Sequence, residues 1–265
     1  MATDNRPIGV FDSGMGGLSV WREIRKSLPE ESIVYLADGK NCPYGDKSPE
    51  EVVGYVVAAV EELLRHGVKL VVVACNTATA VAIDLLRERY PIPFVGMEPA
   101  VKPAALSSQS GVVGILATRA ALHGELFRNT CARYDQRVKI LSQVGEGFVE
   151  CVERGEEDND EVALPLVRRA VEPLLEAGAD RIVLGCTHYP FLRCQIERVA
   201  EGKEVEIVDP APAVARRTEW LLERHDLRAA EGHTAEYSFV SFADADYLAR
   251  ITAKATRLIK DNETE

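Results

Sequence analysis

Cys75 and Cys186 end two stretches built on one pattern. Residues 60–75 and 171–186 align without a gap, and seven of the sixteen positions are identical, Gly67 matching Gly178 and Cys75 matching Cys186 among them. Each copy reads as an amphipathic helix, a glycine stop, a buried strand and a cysteine at the strand's C-terminal end. A weaker echo pairs residues 9–13 with 114–118. The repeat predicts two related lobes that each place one thiol at the same spot. Ligands of open α/β sheets bind outside the carboxyl ends of the strands. Two lobes related by a pseudo-two-fold would therefore set the thiols on opposite sides of one ligand. One thiolate could then take a proton from one face of a carbon while the opposite thiol returns one to the other face, inverting the centre.

The residues that follow each cysteine fit this chemistry. Asn76 and Thr77 come after Cys75, and Thr187 and His188 after Cys186. Each group precedes a helical pattern, so helix N-terminal N–H groups are expected at the cleft, where they favour a thiolate. The first strand ends in Asp12-Ser13-Gly14-Met15-Gly16-Gly17. Its glycines permit close backbone approach and bare N–H groups suited to a carboxylate. The loop lacks the Gly-Lys-Ser/Thr ending of a phosphate loop and the dinucleotide Gly-x-Gly-x-x-Gly spacing. No Cys-x-x-Cys pair occurs, and Cys186 with His188 shows no third or fourth ligand, so no metal site is expected. Cys42, Cys131, Cys151 and Cys194 read as inert packing thiols, with Cys42 the one in a loop near the cleft and open to oxidation. The acidic run at residues 156–160 reads as a solvated loop.

Nine short apolar runs must carry these residues, at 8–11, 33–37, 70–74, 94–96, 112–116, 138–141, 182–185, 205–208 and 236–242. Helical patterns alternate with them, one opened by the capping box Ser48-Pro49-Glu50-Glu51. Alternation of this kind predicts an α/β fold with parallel sheets covered by helices. The crossings between lobes are expected near Met97-Glu98-Pro99 and near Asp209-Pro210. One lobe is then 1–97 plus 210–265 (with Cys75) and the other 98–209 (with Cys186). The 265 residues carry 31 Lys+Arg against 42 Asp+Glu, a net charge of −11. That balance argues against nucleic acid and anionic membranes as partners. No signal-like segment opens the sequence and no apolar run is long enough to span a bilayer, so a cytoplasmic protein is expected.

The motifs Val10-Phe11-Asp12-Ser13-Gly14-Met15-Gly16-Gly17-Leu18-Ser19-Val20, Pro43-Tyr44-Gly45, Ala74-Cys75-Asn76-Thr77-Ala78, Glu98-Pro99 and Leu184-Gly185-Cys186-Thr187-His188-Tyr189-Pro190 together resemble the glutamate racemase family. The resemblance spans roughly residues 8–215 and implies two pseudo-symmetric three-layer α/β domains with the active site in the cleft between them. It implies a cofactor-independent, two-thiol interconversion of L- and D-glutamate that supplies peptidoglycan synthesis, carried out by a homodimer. Cys75 and Cys186 would be the acid/base pair, assisted by Asp12, His188 and Glu153. Asp12, Ser13, Tyr44, Gly45, Asn76, Thr77, Thr118, Thr187 and His188 would hold the substrate. Two departures stand out: Ala121 where the family commonly has a second threonine, and the loop Asp38-Gly39-Lys40-Asn41-Cys42. An aspartate racemase on the same scaffold, a hydrolase with one nucleophilic cysteine and a two-lobed binding protein are the alternatives. The matched motifs contain no Lys or Arg. Glutamate should thus be held by backbone amides, hydroxyls and the helix N-termini after Ser13, Cys75 and Cys186, with His188 the only cation.

Overall fold

All nine apolar runs form strands, because each is short, rich in branched residues and closed off by turn-forming residues. The computed structural model describes residues 3–262. Its first part runs β1 (Ile8–Asp12), α1 (Leu18–Ser27), β2 (Ile33–Ala37), α2 (Pro49–Arg65), β3 (Leu70–Val73), α3 (Asn76–Arg89), β4 (Phe94–Gly96) and α4 (Val101–Ser107). The middle comprises β5 (Val112–Ala117), α5 (Arg119–His123), α6 (Glu125–Ala132), β6 (Lys139–Val144), α7 (Phe148–Arg154), α8 (Asp160–Glu176), β7 (Arg181–Gly185), α9 (Arg193–Val199) and β8 (Glu206–Val208). The chain ends with α10 (Ala211–Arg224), β9 (Tyr237–Ser241) and α11 (Ala245–Asn262). Short 3₁₀ turns occupy Tyr44–Asp46 and Tyr189–Leu192.

The strands build two sheets of order β4-β3-β1-β2-β9 and β6-β5-β7-β8, and every strand pair is parallel. After the second sheet the chain returns to the first, where β9 pairs with β2. The repeat is visible in the pairing. β3 lies beside β1 with Phe11 opposite Val73, and β7 lies beside β5 with Ala117 opposite Gly185. Both cysteines therefore leave the carboxyl end of an inner strand next to the strand carrying the weaker echo. The helices before β3 and β7 also end alike. Gly67 and Gly178 sit just past α2 and α8 at φ 72° and 84°, left-handed angles that glycine adopts without strain. The capping box of α2 is present: Glu51 N–H donates to Ser48 Oγ and Ser48 N–H to Glu51 Oε2. β6 extends past the apolar run at 138–141 to Val144, since this partly exposed edge strand tolerates Ser142 and Gln143.

A charged residue anchors the foot of each Cys-bearing strand, at repeat-equivalent positions. Lys69 Nζ meets Glu31 Oε2 at 2.5 Å with both side chains all but inaccessible, at 0% and 2%. Asp180 accepts from the Ser108 hydroxyl at 2.7 Å and from the N–H groups of Gln109 and Ser110 at 2.6 and 3.0 Å. Removing one member of a buried pair strands the other charge. Lys69→Ala should cost ~3–5 kcal/mol of stability in a denaturant or thermal melt, whereas a loss under ~1 kcal/mol would show that Glu31 is not held by this lysine.

Candidate active site

The carboxyl ends of β1 and β3 in one sheet face those of β5 and β7 in the other across a small cavity. It is lined by Ser13, Pro43, Tyr44, Gly45, Cys75, Asn76, Thr77, Thr118, Val149, Gly185, Cys186, Thr187 and His188, with about 300 Å³ of free space including its mouth. Every residue expected to bind a ligand lines this cavity, apart from Asp12 directly beneath it. Glu153, at the end of α7, reaches the cluster from behind.

Cys75 is the N-cap of α3, and its Sγ accepts the N–H of Ala78 at 3.4 Å. Its thiol also points at Ser13 Oγ, 3.8 Å away. The expectation that the helix start would favour the thiolate is not met. Burial, with the charge of Asp12 adding to it, outweighs the helix N–H and the serine and pushes the Cys75 thiol up to about 12. Cys186 is built differently. No long helix begins there; a bend at Thr187 and His188 leads into the 3₁₀ turn and only then into the seven-residue α9. Its Sγ instead lies 3.7 Å from His188 Nδ1. His188 Nε2 is 2.7 Å from Glu153 Oε1, which also accepts the N–H of Met15 at 2.8 Å. Burial works against an imidazolium here, yet the contacts with Cys186, Cys42 and Glu153 carry His188 well above the ordinary imidazole range. Burial likewise opposes the Glu153 carboxylate, but its bonds to His188, Met15 and Tyr247 hold it below the usual range.

The glycine loop serves a different purpose from the one its amides suggested. Asp12, wholly buried, takes the N–H groups of Gly14 and Gly17 at 3.1 and 2.9 Å and the Thr187 hydroxyl at 3.2 Å. Together with Met15, the loop thus spends these amides on the protein's own carboxylates. The glycines are required by crowding: a Cβ on Gly14 would lie 2.0 Å from Glu153 Oε1, and one on Gly16 2.3 Å from His188 Nδ1. The Tyr44 hydroxyl is also engaged, donating to Asp38 Oδ2 at 2.7 Å. Thr77 and Thr118 meet each other at 3.2 Å across the cleft, and Thr118 caps α5 by accepting the Ala121 N–H. Asn76 contrasts with all of these. Its amide oxygen and nitrogen are both buried and have no partner among the described residues, which is costly unless a ligand satisfies them.

Sequence reasoning passed over several residues. Cys42, read from sequence as a packing thiol in a loop near the cleft, lies directly beside Glu153 and His188, the three donor atoms falling within 4.8 Å of one another. This supplies the third potential metal ligand that the sequence did not offer, though the three already bond within the protein. Cys194, expected in the interior, is exposed. Asp38 and Tyr247 had no motif to reveal them.

Two parallel α/β sheets that each present a thiol to one cavity go with the class of amino-acid racemases. Residues 8–218 match the Asp/Glu/Hydantoin racemase family, and the chain belongs to it. It is 49% identical over 247 residues to the glutamate racemase of Herpetosiphon aurantiacus, covering 93% of this chain and 96% of that one. Its fold is similar to that of Escherichia coli glutamate racemase solved in complex with L-glutamate and the activator UDP-MurNAc-Ala (TM-score 0.85, 36% identity, 96% and 95% of the two chains). Similar too is the Francisella tularensis glutamate racemase in complex with D-glutamate (TM-score 0.81, 26% identity, 96% and 94%).

The electrostatics of the Cys186 half make a direct prediction. A folded value for His188 above its unfolded one adds stability that is complete below the unfolded pKa of ~6.5 and is lost as pH climbs through the folded value. Long-range ¹⁵N–¹H spectra at pH 7.5 should show His188 protonated on both ring nitrogens, and Glu153→Gln should lower its titration. A neutral ring at pH 7.5 would contradict the ion pair.

Proposed function

We propose that the protein interconverts L- and D-glutamate by a two-thiol mechanism without a cofactor, and that the lobes meet near Met97 and Pro210. The single observation that carries this is one small cavity with a cysteine on each side, each from an equivalent strand end. The identity to glutamate racemases over nearly the whole chain supports glutamate over aspartate. A hydrolase reading finds no use for the second thiol.

Cys75 and Cys186 each serve as the base for one enantiomer and the acid for the other. The thiolate on one face takes the α-proton, leaving the electron pair on Cα, and the opposite thiol delivers its own proton to the other face. The α-proton of an amino acid is very weakly acidic, so a strong thiolate is useful and a high thiol pKa is part of the design. Ionising a thiol of pKa about 12 at pH 7 costs on the order of 7 kcal/mol, at 1.36 kcal/mol per pH unit. The substrate ammonium is a cation brought into a site rich in anions, and it offsets part of that cost. Asp12, in charge contact with Cys75 but bonded to Gly14, Gly17 and Thr187, adds to the burial that raises the first thiol and fixes the loop. His188, oriented by Glu153, serves the second thiol.

Asn76 offers a donor and an acceptor to the substrate, and Ser13, Thr77, Thr118 and Thr187 offer hydroxyls. The first N–H groups of α3 have no partner inside the helix and suit a carboxylate. The Tyr44-Gly45 segment contributes backbone rather than a phenol. The product D-glutamate serves peptidoglycan synthesis in the cytoplasm, and the assembly that the family resemblance implies is a homodimer. Among the described residues no helix is long and apolar enough to cross a membrane.

Incubation with L-glutamate in D₂O tests this reading. D-glutamate carrying deuterium at Cα should accumulate until the optical rotation vanishes. Ammonia release would indicate a hydrolase, and binding without exchange a carrier; either result defeats the proposal.

A further inference from the structure

Glu153 is held from a third direction, by a helix that the mechanism above does not use. The phenol of Tyr247, at the start of α11, donates to Glu153 Oε2 at 2.7 Å. Glu153 Oε1 is already committed to His188 and to Met15 N–H. The tyrosine is the donor to the remaining oxygen and fixes the plane of the carboxylate. Its ring is itself fixed: Tyr247 is buried, Arg250 lies over it at 5.1 Å, and a Cβ on Gly39 would fall 2.2 Å from the ring.

The contact belongs to a stripe along α11. Arg250 donates to the Glu153 carbonyl at 2.7 Å, Lys254 pairs with Glu157, and Arg257 donates to Asp158 at 2.9 Å. Residues 247, 250, 254 and 257 share one helix face. The acidic run after α7, read from sequence as a solvated loop, is therefore engaged by this helix. The adjoining face of α11 buries Ile251, Ala255 and Leu258, together with Tyr247, in the core cluster that also holds residues of α1 and β9. α11 follows β9, a strand of the first sheet, whereas Glu153 and His188 belong with the second.

We propose that Tyr247 is a positioning residue for the Cys186 half of the site, holding Glu153 from the first lobe so that His188 keeps its bond to the carboxylate and its place beside the thiol. The proposal rests on the racemase reading above. Cys186 is then at full strength as acid or base only while α11 is docked on α7. The groups facing Glu153 are His188, Tyr247, Cys42, Asp12, Tyr35 and the backbone-bonded Arg250. Among them Tyr247 is the one that touches Oε2 from outside the cavity.

Tyr247→Phe removes the phenol oxygen and keeps the ring. Because the two enantiomers are equal in free energy, kcat/KM must fall by the same factor in both directions, about tenfold for a lost bond to a buried carboxylate. That fall alone would also follow from loosened structure, so two other readouts decide. The deuterium effect of a Cα label should rise for the enantiomer that Cys186 deprotonates and fall for the other. With one donor gone Glu153 is easier to protonate, so the acid limb of kcat/KM should move to higher pH. Tyr247→His, which returns a ring donor, should recover part of both changes, and Tyr247→Phe should add nothing in a Glu153→Gln background. Isotope effects that stay matched with an unmoved acid limb, or an undiminished Tyr247→Phe effect on top of Glu153→Gln, would overturn it. A wild-type enzyme that exchanges no α-proton would instead defeat the parent reading.

Discussion

The buried carboxylate of Asp12 is the constraint around which the site is arranged. A fully desolvated anion must be supplied with donors or give up its charge. Asp12 gathers two backbone N–H groups from its own loop and a hydroxyl from Thr187, a residue of the opposite sheet. Meeting that need fixes the loop after β1, demands glycine where the chain must pass close to Asp12, and pins the ends of the two sheets together. A Cβ on Gly17 would sit 2.5 Å from that of Asp12. The same charge reaches Cys75 and raises the cost of its thiolate.

The pseudo-two-fold supplies two thiols but not two equal ones. Cys75 has a helix N–H and a serine, neutral groups that do little against burial. Cys186 has an imidazole backed by a carboxylate, a group able to hold or release a proton itself. One thiol is flanked by neutral groups and the other by an imidazole–carboxylate pair. The two copies of the repeat differ in what surrounds their thiols, while the glycine stops at Gly67 and Gly178 are alike.

Much of this was legible in the sequence, and the reasons are physical. Strands and helices announce themselves through hydrophobic period, so all nine strands and the α2 capping box could be read directly. The repeat brought Cys75 and Cys186 together without any contact information, because equivalent strands end at equivalent places. What stayed hidden depends on contacts far apart in the chain. The bond from Tyr247 to Glu153 spans 94 residues and that from Met15 to Glu153 spans 138, and no local pattern encodes either. The loop glycines were correctly read as permitting close approach. Sequence cannot say what approaches, and it is Glu153 and His188 rather than a ligand carboxylate. The thiolate expectation for Cys75 erred because a helix N-terminus is a local feature, whereas burial is a property of the whole fold.

The central claim is that one thiol addresses each face of a single carbon. Single-thiol enzymes test it most directly, by following α-proton exchange of each enantiomer separately in D₂O. Cys75→Ala should exchange one enantiomer without inverting it, Cys186→Ala the other, and neither should racemise. If both variants exchanged the same enantiomer, or if either alone still racemised glutamate, the two cysteines would not be the opposed acid and base described here.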